Sequence, residues 1–203
     1  MVVDRFLLDP IFASNCWVVR TGEGAPAAVV DPGGDPAELL ESGLPVGGIL
    51  VTHGDVDHVG GVAELAVATG AEVWMPAGEA EVLRAGRTRG GFEVGAHAPE
   101  HEVAGGDAIE VAGIPFVVVD VPGHSAGHVA FYTHGKLFSG DLLFTQSVGR
   151  TDLEGGDWDA LLDSVRRLLE LYGPDTTVYP GHGDPTTLGR ELATNPFLGA
   201  LRS

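Results

Sequence analysis

Four times along this 203-residue chain an apolar, strand-like run stops abruptly at a histidine or aspartate beside glycine. Gly48-Ile49-Leu50-Val51-Thr52 leads into His53, and Phe116-Val117-Val118-Val119-Asp120-Val121 leads through Pro122-Gly123 into His124. Lys136-Leu137-Phe138-Ser139-Gly140 leads into Asp141, and Thr177-Val178-Tyr179-Pro180-Gly181 into His182. Runs of this kind lack the alternation of a half-exposed strand and suit strands covered on both faces. Short strands are also predicted over 2–8, 16–20 and 27–31, with hairpins pairing 109–111 to 116–119 across Ala112-Gly113 and 129–133 to 136–138. Leu161, Leu162, Val165, Leu168, Leu169 and Tyr172 recur at helical spacing, which predicts a helix over 158–172 capped by Asp157. A second helix is expected over 62–68, stopped by Gly70, and a short one over 37–40 entered through Asp35-Pro36. The pattern is mixed α/β with a sandwich core.

Composition narrows the function classes. Eleven Lys and Arg against 29 Asp and Glu give a formal charge of −18. A polyanion repels phosphate backbones and anionic headgroups, so neither nucleic acid nor a membrane surface is an expected partner. The 44% hydrophobic content can fill a core without disulfides, and the single Cys16 excludes both an intramolecular disulfide and a cysteine-rich zinc cage. Cys16 reads as a buried strand residue rather than a nucleophile. No apolar run approaches the ~18 residues of a membrane span. The first residues, MVVDRFLLDP, lack the form of a signal peptide. The expectation is one domain over residues 1–203, in the cytoplasm.

The densest chemistry lies in Thr52-His53-Gly54-Asp55-Val56-Asp57-His58-Val59-Gly60-Gly61, where His53, Asp55, Asp57 and His58 are four candidate ligands within one loop. In a tight turn that spacing can aim two side chains at one metal and two at a neighbour. Mixed imidazole and carboxylate donors suit zinc, iron or manganese. His128 reads as a brace for the His124 loop, and His97, His101 and His134 as solvated surface residues. Asp31, at a strand end before Pro32-Gly33-Gly34, is either a turn residue or a partner that orients a ligand histidine. Gly33-Gly34 is a weak phosphate-loop signal without the Lys-Ser/Thr of a P-loop.

At these residues the chain resembles the metallo-β-lactamase fold superfamily. His53-Gly54-Asp55-Val56-Asp57-His58 is similar to its His-x-His-x-Asp-His motif, and Pro122 to His128 to its second-motif loop. Phe138-Ser139-Gly140-Asp141 resembles the strand of the bridging aspartate, and Pro180-Gly181-His182-Gly183 the last histidine. The resemblance implies an αββα four-layer sandwich with two divalent metal ions at one edge, zinc foremost, iron or manganese as alternatives. One ion would be held by His53, residue 55 and His124, the other by Asp57, His58 and His182, with Asp141 bridging. Gly149-Arg150-Thr151-Asp152 and Thr194-Asn195-Pro196-Phe197 resemble short glyoxalase II-like hydrolases. Longer relatives add a C-terminal helical domain that binds glutathione, which this chain is expected to lack. A β-lactamase would usually place cysteine where Asp141 stands.

These features imply a hydrolase for the acyl thioester of a small thiol, in which a metal-bound hydroxide attacks the carbonyl, Asp57 orients it and Arg150 binds a substrate carboxylate. The departure from the pattern is Asp55, which stands where the motif has histidine. As a ligand it would make the first position harder and more anionic, raise the pKa of its water and favour manganese or iron. Being shorter than histidine, it would alternatively bind weakly or through water, or leave the first position partly occupied or empty. Two alternatives follow from the same residues. One is an iron oxygenase like the persulfide dioxygenases, using His53, His124 and Asp141. The other is a non-catalytic metal-binding domain in which Asp55 records lost activity.

Overall fold

The protein, described over residues 1–202, is a computed structural model built from two six-stranded sheets with helices outside each. The first half contributes β1 (Val2–Phe6), β2 (Cys16–Arg20), β3 (Ala27–Val30), α1 (Ala37–Glu41), β4 (Val46–Leu50), α2 (Val56–Val59), α3 (Val62–Thr69), β5 (Val73–Pro76), α4 (Ala80–Ala85) and β6 (His101–Val103). The second half contributes β7 (Ala108–Val111), β8 (Ile114–Asp120), β9 (Val129–Thr133), β10 (Lys136–Gly140), β11 (Leu143–Phe144), β12 (Ser147–Val148), α5 (Trp158–Leu171), β13 (Thr177–Pro180), β14 (Thr186–Thr187), α6 (Leu188–Thr194) and a 3-10 turn over Pro196–Leu201. The first sheet follows chain order from β1 to β6. The second runs β14-β13-β10-β9-β8-β7, and β11 with β12 forms a separate ribbon.

Strand alternation distributes the apolar runs over three interfaces. In β2, Cys16 and Val18 face outward to the helices while Trp17 and Val19 face the other sheet. In β3, Ala27 and Val29 face the helices, and Ala28 and Val30 the sheet. α3 seals the outer face with Val62, Leu65 and Ala66, and α4 adds Leu83. Phe116, Phe131 and Phe138 answer from the second sheet into the central layer. Val119, Ala130, Leu137 and Val178 point the opposite way, onto Leu161, Val165 and Leu168 of α5. The four-layer αββα arrangement implied by the resemblance is therefore met, and the unbroken apolar runs are explained by strands covered on both faces.

Several boundaries differ from expectation. β1 ends at Phe6, because Asp9 Oδ1 accepts from the N–H groups of Ile11 (2.7 Å) and Phe12 (3.1 Å) and turns the chain. α5 begins as predicted, with Asp157 accepting from Ala160 N–H at 2.9 Å, but Tyr172 leaves the helix and stacks on Tyr132 at 3.9 Å. β5, β6 and α4 had no clear signal. Both hairpins turn on two residues of positive φ, Ala112-Gly113 (55° and 72°) and His134-Gly135 (44° and 75°), a geometry that matches strand twist. His134 is thus a turn residue, His101 stacks on Trp74 at 4.4 Å, and His97 is more covered than a solvated residue would be. Cys16 is buried, and burial followed by the charge of Asp31 pushes its thiol pKa up. Among the described residues no helix is long and apolar enough to cross a membrane.

Gly33-Gly34 has a packing role. A Cβ on Gly33 would overlap the carbonyl of Asp57, and one on Gly34 the carbonyl of Leu8. Reciprocally, Cβ atoms on Gly60 and Gly61 would overlap the carbonyls of Gly33 and Gly34. Two glycine pairs therefore let the loop after β3 lie directly on the loop that bears Asp57 and His58. Gly33→Ala is expected to lower stability by about 1–3 kcal/mol or more through overpacking, read as a lower urea midpoint with unchanged slope.

Candidate metal centre

β3 and β4 run parallel, as do β10 and β13, and β8 lies two antiparallel steps from β10. The C-terminal ends of β4, β8, β10 and β13 therefore meet at one edge, carrying His53, His124, Asp141 and His182 beyond them. An isolated bridge between Ser14 and His182 ties the sheets together there. Asn15 Nδ2 and Trp17 Nε1, both donating to Pro180 O at 2.9 Å, fix the last loop.

Seven side chains named from the sequence come together. Donor atoms of His53, His58 and Asp141, of His53, Asp55 and His124, and of Asp57, His58 and His182 each lie within 4.8 Å of one another. His58 Nε2 is 3.3 Å from Asp141 Oδ1 and 3.6 Å from Asp57 Oδ2. His182 Nε2 is 3.1 Å from Asp57 Oδ2 and 3.4 Å from Asp141 Oδ2.

Asp31 orients the first two histidines. Its Oδ1 accepts from Thr52 N–H at 2.7 Å, and its Oδ2 from Thr52 Oγ1–H at 2.7 Å and from His58 Nδ1–H at 3.0 Å. The Thr52 hydroxyl, its proton spent on Asp31, accepts in turn from His53 Nδ1–H at 3.0 Å. Both rings are thereby fixed with Nε2 facing the centre. His53 Nε2, His58 Nε2 and Asp141 Oδ1 are buried there without a hydrogen-bond partner among the described residues. Buried polar atoms left unanswered by protein call for another partner, and converging imidazole and carboxylate donors suit a divalent metal. At the His58–Asp141 side the residues fit such an ion.

The electrostatics agree. Burial disfavours charge on His58, yet Asp141 and Asp31 outweigh it and raise its pKa well above the ordinary value. Burial likewise opposes the charge on His182, but Asp141 and Asp57 lift it to about 9. Burial would raise Asp141, but His58 and His182 hold it well below the usual carboxylate range. Burial, then the imidazoles of His58, His128 and His124, push His53 well below its usual value. His128 is forced down to about 3 by burial and then by His124, its ring 4.7 Å from that of His53, so it packs as a neutral wall.

The first position is different, because an unpredicted residue lies in it. Arg89 Nε and Nη2 grip Asp55 Oδ1 and Oδ2 at 2.6 and 2.7 Å, and Nη2 lies 3.1 Å from His124 Nε2. Sequence reading missed Arg89 because nothing in Arg87-Thr88-Arg89-Gly90 announces its partner. The available signal was indirect, since an extra carboxylate at position 55 of a buried cluster calls for a cation. Glu79 was missed too. Buried, it accepts from Gly54 N–H at 2.8 Å and from the Ser125 hydroxyl, and so clamps the two ligand loops together. Gly181 is required by close approach, because a Cβ there would overlap Asp141 Oδ1.

A pocket of about 450 Å³ opens over the cluster, lined by Asp57, Asp141 and His182 below and by Phe12, Phe92 and Leu153 at the rim. Arg150 also lines it; its side chain is 60% exposed and paired with Asp152 at 2.7 Å, while its carbonyl accepts from His124 Nδ1–H at 2.8 Å.

Known proteins resemble this chain in sequence and fold. A profile of the metallo-beta-lactamase superfamily matches residues 9–182. The chain is 33% identical to hydroxyacylglutathione hydrolase GloC of Haemophilus influenzae, across 93% of this chain and 94% of that protein. Among solved structures, the BLEG-1 B3 metallo-beta-lactamase superposes with TM-score 0.89 at 33% identity, over 98% of this chain and all of that one. TTHA1623 in a di-iron-bound form matches at TM-score 0.80 and 42% identity, over 97% of this chain and all of that one.

Two outcomes are expected. Asp31→Asn, which removes the carboxylate behind His53 and His58, should weaken metal binding by roughly 10–100-fold, measured by competition with a chromophoric chelator. Metal uptake should also release protons at pH 7, because His182, raised to about 9, is charged in the free protein and must ligate as neutral imidazole. Apparent affinity then rises with pH from 7 towards about 9, and titration calorimetry in buffers of different ionisation enthalpy would read the released protons.

Proposed function

Because the chain belongs to the metallo-β-lactamase superfamily, we propose that it is a metallohydrolase of glyoxalase II type that cleaves the acyl thioester of a small thiol. The observation that carries this reading is the donor cluster of His58, Asp57, Asp141 and His182, the last three of which line an apolar-rimmed pocket. The name of the Haemophilus influenzae relative supports the thioester class, as does aspartate rather than cysteine at position 141.

A divalent metal, zinc in our reading, would be held by His58, Asp57, His182 and Asp141 and would supply a deprotonated water and polarise the thioester carbonyl. Asp57 Oδ2, facing both His182 and His58, stands ready to accept a hydrogen bond from that water and fix its direction. His182 is the most exposed of the cluster histidines and borders the route in. Phe12 and Phe92, edge to face at 6.3 Å, offer an apolar seat at the rim that sheds water around the acyl group. The leaving thiolate has a solution pKa of ~8.5 and departs with little protonation, so no separate general acid is needed. Arg150 is a substrate-binding candidate, because its exposed pairing with Asp152 is screened by solvent and readily exchanged for a substrate carboxylate.

The substrate is a small molecule; with a charge of −18, nucleic acid and membrane surfaces remain poor partners. Cytoplasmic residence is our reading, consistent with the reduced, buried Cys16. The oxygenase alternative needs a free lone pair on His124 Nε2, which faces Arg89 and Asp55 instead.

Purified protein loaded with zinc should hydrolyse acyl thioesters of glutathione or another low-molecular-weight thiol, followed by loss of thioester absorbance. Chelation should abolish the activity and metal should restore it. Absence of thioester turnover with zinc, iron and manganese alike would sink the hydrolase reading, and oxygen uptake with a thiol persulfide would favour the oxygenase. Asp57→Asn should lower kcat by at least ~10²-fold, within the range for a lost proton acceptor.

A further inference from the structure

We propose that the first metal position of this chain is held by the guanidinium of Arg89, so that the centre carries one metal ion per chain rather than two. The inference rests on the metal-centre reading above and specifies it.

Spacing alone would admit an ion among His53, Asp55 and His124, whose donors lie within 4.8 Å of one another. The chemistry excludes it. His124 Nδ1 faces the carbonyl of Arg150 at 2.8 Å, and a carbonyl only accepts, so Nδ1 carries a proton. Nε2 then has a single lone pair, and it faces Arg89 Nη2 at 3.1 Å. If Nε2 instead carries a proton towards Asp55 Oδ2, 3.0 Å away, it still has none to give. Asp55 is gripped through both oxygens, and its carboxyl is further held by position, only 18% exposed.

Arg89 is also saturated. A guanidinium has five N–H donors. Nε and one Nη2 hydrogen go to Asp55, the other Nη2 hydrogen faces His124 Nε2, and Nη1 donates to His124 O at 2.8 Å and Glu154 O at 2.9 Å. No donor remains for substrate, so Arg89 is a positioning residue that acts through His124 and Asp55. Its loop is built to deliver it: Thr88 N–H donates to Phe92 O at 3.0 Å, Gly91 N–H to Thr88 O at 2.9 Å, and the backbones of Arg87 and Glu93 form an isolated antiparallel β-bridge. The guanidinium is a fixed, unexchangeable cation where an exchangeable one would sit.

The charge balance is consistent. Against a neutral histidine and a divalent ion, aspartate with arginine leaves the first position neutral, two positive charges lower. His58 Nε2 and Asp141 Oδ1, on the second side, are buried without a hydrogen-bond partner, whereas Asp55 and His124 have no unpartnered buried atom among the described residues. His53 Nε2 and both nitrogens of His128 are unpartnered too, and the His53 donor lies within 4.8 Å of those of His58 and Asp141 as well as of those of the first position.

The test is stoichiometry. Wild-type protein stripped with chelator, reloaded with excess zinc and desalted should hold one equivalent by elemental analysis. Asp55→His/Arg89→Ala, folded by circular dichroism, should hold two. Anomalous diffraction from zinc-soaked wild-type crystals should show one peak, beside His58 and Asp141. Two equivalents in the wild type, with a peak between His53, Asp55 and His124, overturn the proposal. So does a folded double variant that still holds one. A wild type that binds no zinc, iron or manganese overturns the metal-centre reading itself. Should the double variant fail to fold, the wild-type stoichiometry and peak position decide the matter alone.

Discussion

A buried carboxylate at the end of β3 aligns the centre. Asp31, only 2% exposed and at φ 53°, has left the strand and turned its side chain under the next strand's loop. There it takes a backbone N–H, a hydroxyl and an imidazole N–H, and through the hydroxyl it reaches a second imidazole. Two histidines are thereby oriented by one acceptor. Carboxylate partners behind ligand histidines fix tautomer and ring direction and raise basicity. The glycine pairs 33–34 and 60–61 follow from the same need, since only backbone without Cβ lets these loops lie close enough.

Around that anchor, charge is distributed unevenly. On the His58–Asp141 side, carboxylates outweigh burial and raise the pKa of both His58 and His182. At Asp55 the carboxylate already has its cation in Arg89, which is bidentate and only 13% exposed. Arginine suits such a place because its charge cannot be titrated away and its planar fork matches a carboxylate. Paired in this way, Arg89 and Asp55 leave the first position neutral within a chain whose net charge is −18.

Much of this was legible. Asp31 was readable either as a turn or as a histidine partner, and the structure shows that it is both. The apolar runs from 48, 116, 136 and 177 placed the four loops because unbroken hydrophobicity and terminal glycine are local signals. β5 and β6 were not found, being short strands of four and three residues without alternation. Glu79 and Arg89 were invisible for another reason. Their partners lie 25 and 34 residues away, and a salt bridge or clamp at that separation leaves no spacing rule in the chain.

The sequence by itself determined the mixed α/β sandwich class and the His- and Asp-bearing loops that gather at one edge, because period, glycine and residue type are properties of neighbours along the chain. The four layers and the seven-residue ligand set came from the motifs' resemblance to a known superfamily. Tertiary structure alone decided what Asp55 is for. As a letter in a motif it is a weak ligand. In the fold it is the counter-ion of Arg89, because two loops distant in sequence bring a carboxylate and a guanidinium within hydrogen-bonding distance in a place with little water to separate them.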